Sequence, residues 1–239
     1  MADLRFFFFQ SVSGGPHELP REIPHRIAVF LRYPCGRSYP RRIAGEPAVD
    51  SPRYTKPFTL LDDTTLKAKA FCDGYSDTRL MVADFRKVVP RLPVKTGALA
   101  QGIDYGLYYG SWDMLPDFGK ITPVKRGIID TFTLPPGVPE DNFAVLYKGY
   151  ISIAEDGAYT FYTSSDDGSR LYIGDSCVVD NDGLHGFQEK ETTIALKAGI
   201  HEITVEFFEK GGGQDMEVSY RGPGIEKQEI GSSVLRRNK

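Results

Sequence analysis

Two adjacent carboxylates, Asp166 and Asp167, followed by Gly168, are the residues of this sequence best suited to hold a hard cation. Calcium takes carboxylate and carbonyl oxygens, and paired sugar hydroxyls can complete its shell. Neighbours on an ordinary strand point to opposite faces. Adjacent carboxylates therefore reach one ion only if the peptide between them is cis, at ~3 kcal/mol for a non-proline bond. A bound Ca²⁺ would supply the reason for such a bond. Asp-Asp-Gly is equally an ordinary hairpin turn, with Gly168 accepting positive φ. Both readings stand at this point.

A second polar loop follows, Asp180-Asn181-Asp182-Gly183-Leu184-His185-Gly186. An EF-hand starting at Asp180 is excluded, because its sixth position requires Gly and holds His185. Asn181, Asp182 and His185 either hydrogen-bond sugar hydroxyls or brace the turn, and bracing is the commoner use of Asn and Asp in loops. His185 and His201 are not at metal-ligand spacing. Trp112, the only Trp of the chain, lies near Tyr108 and Tyr109. These rings either stack on a sugar or fill an interior, and the interior is expected for at least one of them. Catalysis finds little support: there is no Gly-x-Ser-x-Gly elbow, no phosphate loop and no Cys-His pair of recognised spacing. The three Cys (Cys35, Cys72, Cys177) are too few and too scattered for a disulfide framework or a structural zinc site.

The elements that must position these loops read as strands. From Gly106 onward strand signals recur about every ten residues, separated by Gly, Asp and Pro, which predicts an all-β sandwich or barrel. Glu202 to Phe207 is the clearest: Ile203, Val205 and Phe207 share one face, Glu202, Thr204 and Glu206 the other. Met216 to Tyr220 alternates in the same way. Val145 to Ile153, Tyr159 to Thr163, Leu171 to Ile173 and Thr193 to Leu196 give four more, and no window carries a helical stripe. Upstream, Thr65 to Phe71 alternates with Leu66, Ala68 and Ala70 on one face. The expected organisation is an irregular arm over 1–48, a small β domain over 49–85, a Pro- and Gly-containing linker over 86–104 and the main β domain over 105–235.

Composition bounds the partners. The chain has 239 residues and a formal net charge of -3, with 29 basic against 32 acidic residues. That balance argues against a broad nucleic-acid surface, and no apolar run approaches the ~20 residues that span a bilayer. The charge is unevenly spread. Residues 1–48 hold seven Arg, no Lys and four acidic residues, a formal +3 that leaves -6 for the rest. Only Ile27 to Tyr33 in this arm reads as a strand. The arm is read either as poorly ordered or as not native to the fold that follows. Met1 to Gln10 does not form a signal peptide.

Two resemblances sharpen this picture. Ser51-Pro52-Arg53-Tyr54, Pro57-Phe58, Thr64 to Ala70 and Gly74-Tyr75-Ser76 resemble the C-terminal domain of chitobiases and β-hexosaminidases. That domain's upstream turn is only partly matched at Leu31-Arg32-Tyr33, so its first strand is expected to be missing. The second resemblance runs from about Gly106 to Ile230. It rests on Gly149-Tyr150-Ile151, Asp156 to Tyr162, Ser165 to Ile173, Asp180 to Gly186, Ala198 to His201 and Phe207-Phe208-Glu209. These linked motifs resemble the protective-antigen (PA-fourteen) domain family, which implies a β-sandwich and, in most members of understood role, carbohydrate binding. The family's sugar-binding adhesins imply a Ca²⁺ held by Asp166 and Asp167, with glycan also meeting Gly168, Asn181, Asp182 and His185. The adhesins add an Asn from a second loop. The counterpart here, Glu209 to Asp215, has none, which weighs toward the turn and leaves Asp215 as the substitute. The order of the two domains resembles the tail of a bacterial β-hexosaminidase. It implies a non-catalytic accessory region beside an upstream glycosidase domain, acting in the periplasm or outside the cell. The alternative is a structural spacer without sugar affinity.

Overall fold

Alternation of apolar and polar residues marks the central strands among the described residues, as at Ile203, Val205 and Phe207, which are buried while Glu202 is exposed. The computed structural model describes residues 26–32, 47–48, 51, 64–71, 80–85 and 88–239. The chain divides into two units between Val88 and Val89.

The first unit contains a three-stranded antiparallel sheet of β1 (Arg26–Arg32), β2 (Thr64–Phe71) and β3 (Met81–Phe85), in that order. The strand expected at 27–33 thus forms one residue earlier, and Ile27 pairs with Ala70 and Leu31 with Leu66. Half of the hexosaminidase-type motif, including Arg53, Tyr54, Pro57, Phe58 and Gly74 to Ser76, lies outside the described residues.

The second unit is a two-sheet sandwich. Its strands are β4 (Leu99–Gln101), β5 (Ile103–Tyr109), β6 (Lys125–Ile129), β7 (Phe143–Ile153), β8 (Gly157–Ser165) and β9 (Ser169–Ile173), then β10 (Ser176–Asn181), β11 (Gln188–Leu196), β12 (Gly199–Glu209), β13 (Met216–Gly222), β14 (Ile225–Glu229) and β15 (Leu235–Asn238). The larger sheet has eight strands. It runs β10-β9-β12-β7-β15-β4, with β5 also on β7 and β6 on β5; the smaller runs β11-β8-β13-β14. Among the described residues there is no helix, so none is long and apolar enough to cross a membrane. Residues 91–104, read from sequence as part of a linker, are hydrogen-bonded into this unit. The Arg91 N–H donates to the Ala195 carbonyl at 2.9 Å and the Val94 N–H to the Ile200 carbonyl at 2.8 Å.

Strand parity builds the core. Ile203, Val205 and Phe207 of β12 face Val218 and Tyr220 of β13 and Phe161 of β8 across the sandwich, all buried. Phe143 and Phe207 pack with centroids 5.9 Å apart. The opposite parity makes a second, smaller cluster on the outer face of the larger sheet. There Phe208, Ala144 and Tyr108 stand side by side on β12, β7 and β5. Trp112, Leu115 and Phe118 of the segment after β5 pack over them. Tyr108 and Trp112 therefore fill interior, while Tyr109 is exposed.

Candidate functional site

The turn from β8 into β9 carries Asp166 and Asp167, and the peptide between them is cis. One oxygen from each of Asp166, Asp167 and Glu209 lies within 4.8 Å of the others. Glu209 ends β12 at the parity of Ile203, Val205 and Phe207, so its carboxylate occupies an interior position. It is fully buried, and neither of its oxygens has a hydrogen-bond partner.

Charges this close resist one another. Two carboxylates 4.8 Å apart repel by roughly 3.5 kcal/mol at an effective dielectric of ~20. Burial first, then the Asp167 and Asp166 charges, push the Glu209 carboxyl up to about 7. The Gly211 and Asp167 amides pull it down, though neither makes a hydrogen bond of ordinary geometry to the buried oxygens. Burial, then Asp167, also raise Asp166, while His185 and the Phe187 amide lower it. Asp167 is held from both sides: the His185 N–H donates to Oδ1 and the Lys210 N–H to Oδ2, each at 3.1 Å. Each carboxylate oxygen keeps a free lone pair for a cation. The loop after β12 does close on the pair. Its Asp215 carbonyl accepts from the Asp166 N–H at 3.0 Å. The Asp166 carboxylate lies over Gly213, where a Cβ would stand 2.8 Å from Oδ2.

The remaining loop residues divide. The turn reading expected Gly168 to take positive φ, yet it is not among the glycines that do. Its need is space: a Cβ would sit 2.5 Å from the Phe208 ring and 2.8 Å from the Gly183 nitrogen. Asn181 and Asp182, read from sequence as sugar ligands or braces, both make contacts within the loop and its surroundings. Asn181 donates to Ser165 Oγ and to the Gln188 carbonyl, both at 3.2 Å. Asp182 Oδ1 accepts from the Leu115 and Gly183 amides at 2.8 Å, and Oδ2 pairs with Arg170 at 3.0 Å. This last contact satisfies an oxygen that has no hydrogen-bond partner by stricter geometry. His185 clamps the loop through ring contacts of 2.9 Å to the Asn181 and Gly186 carbonyls. Leu184 and Phe187 of the same loop are exposed, at 49% and 53%. Asp156, from another of the quoted motifs, braces the turn into β12 by accepting from the Ala198 N–H at 2.8 Å.

Residues 101–233 match the sequence model of the PA14 domain. Anti-sigma-I factor RsgI3 of Acetivibrio thermocellus is 26% identical over 136 residues, which cover 54% of this chain and 20% of that protein. A solved anti-sigma factor domain-containing protein superposes with a TM-score of 0.52 at 22% identity, over 59% of this chain and 49% of that one. The epithelial adhesin 9 A domain of Candida glabrata, solved in complex with Galb1-3GlcNAc, superposes with a TM-score of 0.51 at 14% identity, over 62% of this chain and 95% of that one. The chain thus matches a fifth of the length of the curated relative and about half of the anti-sigma structure. At these identities the solved structures share the β-sandwich fold with it.

Proposed function

The chain belongs to the PA14 domain family, and from this we propose that its second unit is a non-catalytic module that binds glycan through a Ca²⁺ held by Asp166, Asp167 and Glu209. The observation that carries the reading is the meeting of three carboxylates, one of them buried with both oxygens unpartnered. An uncompensated group of this kind is expensive unless something pairs with it. The donor set is all hard oxygen, as calcium prefers, and three carboxylates supply part of its six to eight ligands. Glu209 stands in for the Asn that the second loop lacks. Bound Ca²⁺ would supply charge to orient sugar hydroxyls. The chain's own work is to hold the oxygens in place: His185 and Lys210 fix Asp167, and the Asp182–Arg170 pair fixes the loop. Leu184 and Phe187 offer apolar surface for the C–H face of a pyranose. The adhesin domain of like fold, solved with a disaccharide, makes saccharide the ligand class to test first.

The parent protein has two readings. The hexosaminidase-type motif over 51–76 supports an accessory region of a glycoside hydrolase. The likeness to RsgI3 supports an anti-sigma factor parent instead. Sequencing the gene beyond both ends separates them. A spacer without sugar affinity is the remaining alternative. A glycan array of the wild type against Asp166→Ala and Asp167→Ala variants tests the binding claim. Glycan signal lost in both variants supports it, and equal binding by all three proteins moves the site elsewhere.

A further inference from the structure

A second opening lies on the outer face of the larger sheet, where β5, β6 and β7 meet. It has a volume of about 620 Å³, and Asp104, Gly106, Tyr108, Phe118, Arg126 and Lys148 line it. That volume is of the size ordinary small-ligand pockets have. Strand register explains its shape. Gly106 lies opposite Arg126 on β6 and Leu146 on β7, and Asp104 lies opposite Lys148. The missing side chain at Gly106 opens the floor: a Cβ there would sit 3.2 Å from the Tyr108 ring and hydroxyl. Phe118 meets Tyr108 edge-on, with centroids 5.0 Å apart.

Three groups in this groove are without protein partners among the described residues. Tyr108 is 5% exposed, yet its hydroxyl makes no hydrogen bond and is not among the sealed buried atoms, so it opens to the groove. A buried Tyr hydroxyl ordinarily finds a partner. Arg126 and Lys148 are exposed and make no ion pair, although Asp104 stands across the ladder from Lys148. Glu206, on the strand beyond β7, is within electrostatic reach of Lys148 but accepts a hydrogen bond from Tyr172. The Arg126 charge reaches the Tyr108 hydroxyl, where it opposes the upward push of burial.

We propose that this groove is a second saccharide subsite, selective for a sugar carrying a carboxylate. Arg126 and Lys148 meet the anion, the Tyr108 hydroxyl donates a third hydrogen bond, and the exposed part of Phe118 carries the ring. Guanidinium and carboxylate match in planar two-bond geometry, and a neutral hexose leaves that fork unused. The saccharide half of the assignment rests on the function proposed above; the anion half rests on the groove alone. The groove is separate from the three-carboxylate site. Tyr108 stands two strands from Phe208, roughly 10 Å by strand spacing, and Phe208 is the residue that packs under Gly168.

The test is a nuclear magnetic resonance titration of the whole chain, in EGTA, with a four-residue glucuronic acid oligomer and the matching glucose oligomer. The uronate oligomer is expected to move the Gly106 and Gly127 amide signals, with at least tenfold weaker binding of the glucose oligomer. Arg126→Gln/Lys148→Gln is expected to weaken uronate binding at least tenfold, and Tyr108→Phe about threefold with unchanged thermal stability. Asp166→Ala/Asp167→Ala is expected to bind the uronate as wild type, which separates this claim from the calcium claim. Equal binding of the two oligomers, no movement at 10 mM uronate, or full affinity in the Arg126/Lys148 variant would each overturn the proposal.

Discussion

Replacing Glu209 by Gln turns the electrostatics of the site into a stability measurement. In calcium-free protein the Glu209 carboxyl is raised from 4.5 to about 7. A carboxyl raised on folding binds more protons folded than unfolded between those values. Its contribution is therefore fully present below pH 4.5 and is lost as pH rises through 7. The shift corresponds to up to about 3 kcal/mol lost between pH 4.5 and 8. For a unit of this size that is roughly 6 to 12 °C in Tm. A side-chain amide does not titrate in this range, so the Glu209→Gln variant is expected to lack this loss. In EGTA at pH 8 it should be more stable than wild type, although it has lost a proposed ligand. Calcium should reverse the order. At a hundredfold excess over Kd a ligand adds about 2.7 kcal/mol to the native state, and wild type should gain more of this than the variant. Trp112 is the only Trp of the chain and packs against the cluster of Tyr108, Ala144 and Phe208. Its fluorescence in urea melts at pH 5 and pH 8 therefore reports the second unit. Equal pH-dependence in the two proteins, or a variant less stable than wild type at pH 8 in EGTA, would refute the reasoning.

Gly168→Ala should destabilise the second unit by about 2 kcal/mol, because its Cβ meets the Phe208 ring and the Gly183 nitrogen; the same fluorescence melt measures it, and a neutral effect would show that the turn has slack. Phe187→Ala should weaken glycan binding about tenfold while calcium affinity by calorimetry stays within twofold, since the ring is exposed beside the site and only its main chain faces Asp166.

The sequence made much of this legible because the central strands of the sandwich alternate apolar and polar residues. The strand read at Glu202 to Phe207 is the middle of Gly199–Glu209, and Val145 to Ile153 is Phe143–Ile153 with two residues added. Strands without a buried face escaped. Ile225–Glu229 is exposed at four of five positions, and Lys125–Ile129 is exposed at three of five. An edge strand lacks the apolar parity that marks a central one. Gln188–Leu196 shows the same effect within one element: its polar first half hid, and its apolar end at Thr193 to Leu196 was visible. Asp166-Asp167 was legible as a candidate pair because two adjacent carboxylates are chemically distinctive. Glu209 was not, although its signal was present. It continues Ile203, Val205 and Phe207 at interior parity, and a carboxylate at such a position needs a partner. For Asn181 and Asp182 polar type left ligand and brace both open, and the partners Ser165, Leu115 and Arg170 could not be read from residue type alone.

The account rests on three carboxylates sharing one cation. Isothermal titration of Ca²⁺ into the whole chain at pH 7.5 measures that directly. The predicted result is one ion per chain with sub-millimolar Kd, lost in Asp166→Asn and Asp167→Asn and weakened at least tenfold in Glu209→Gln. No heat at millimolar calcium, or unchanged binding in those variants, would contradict it.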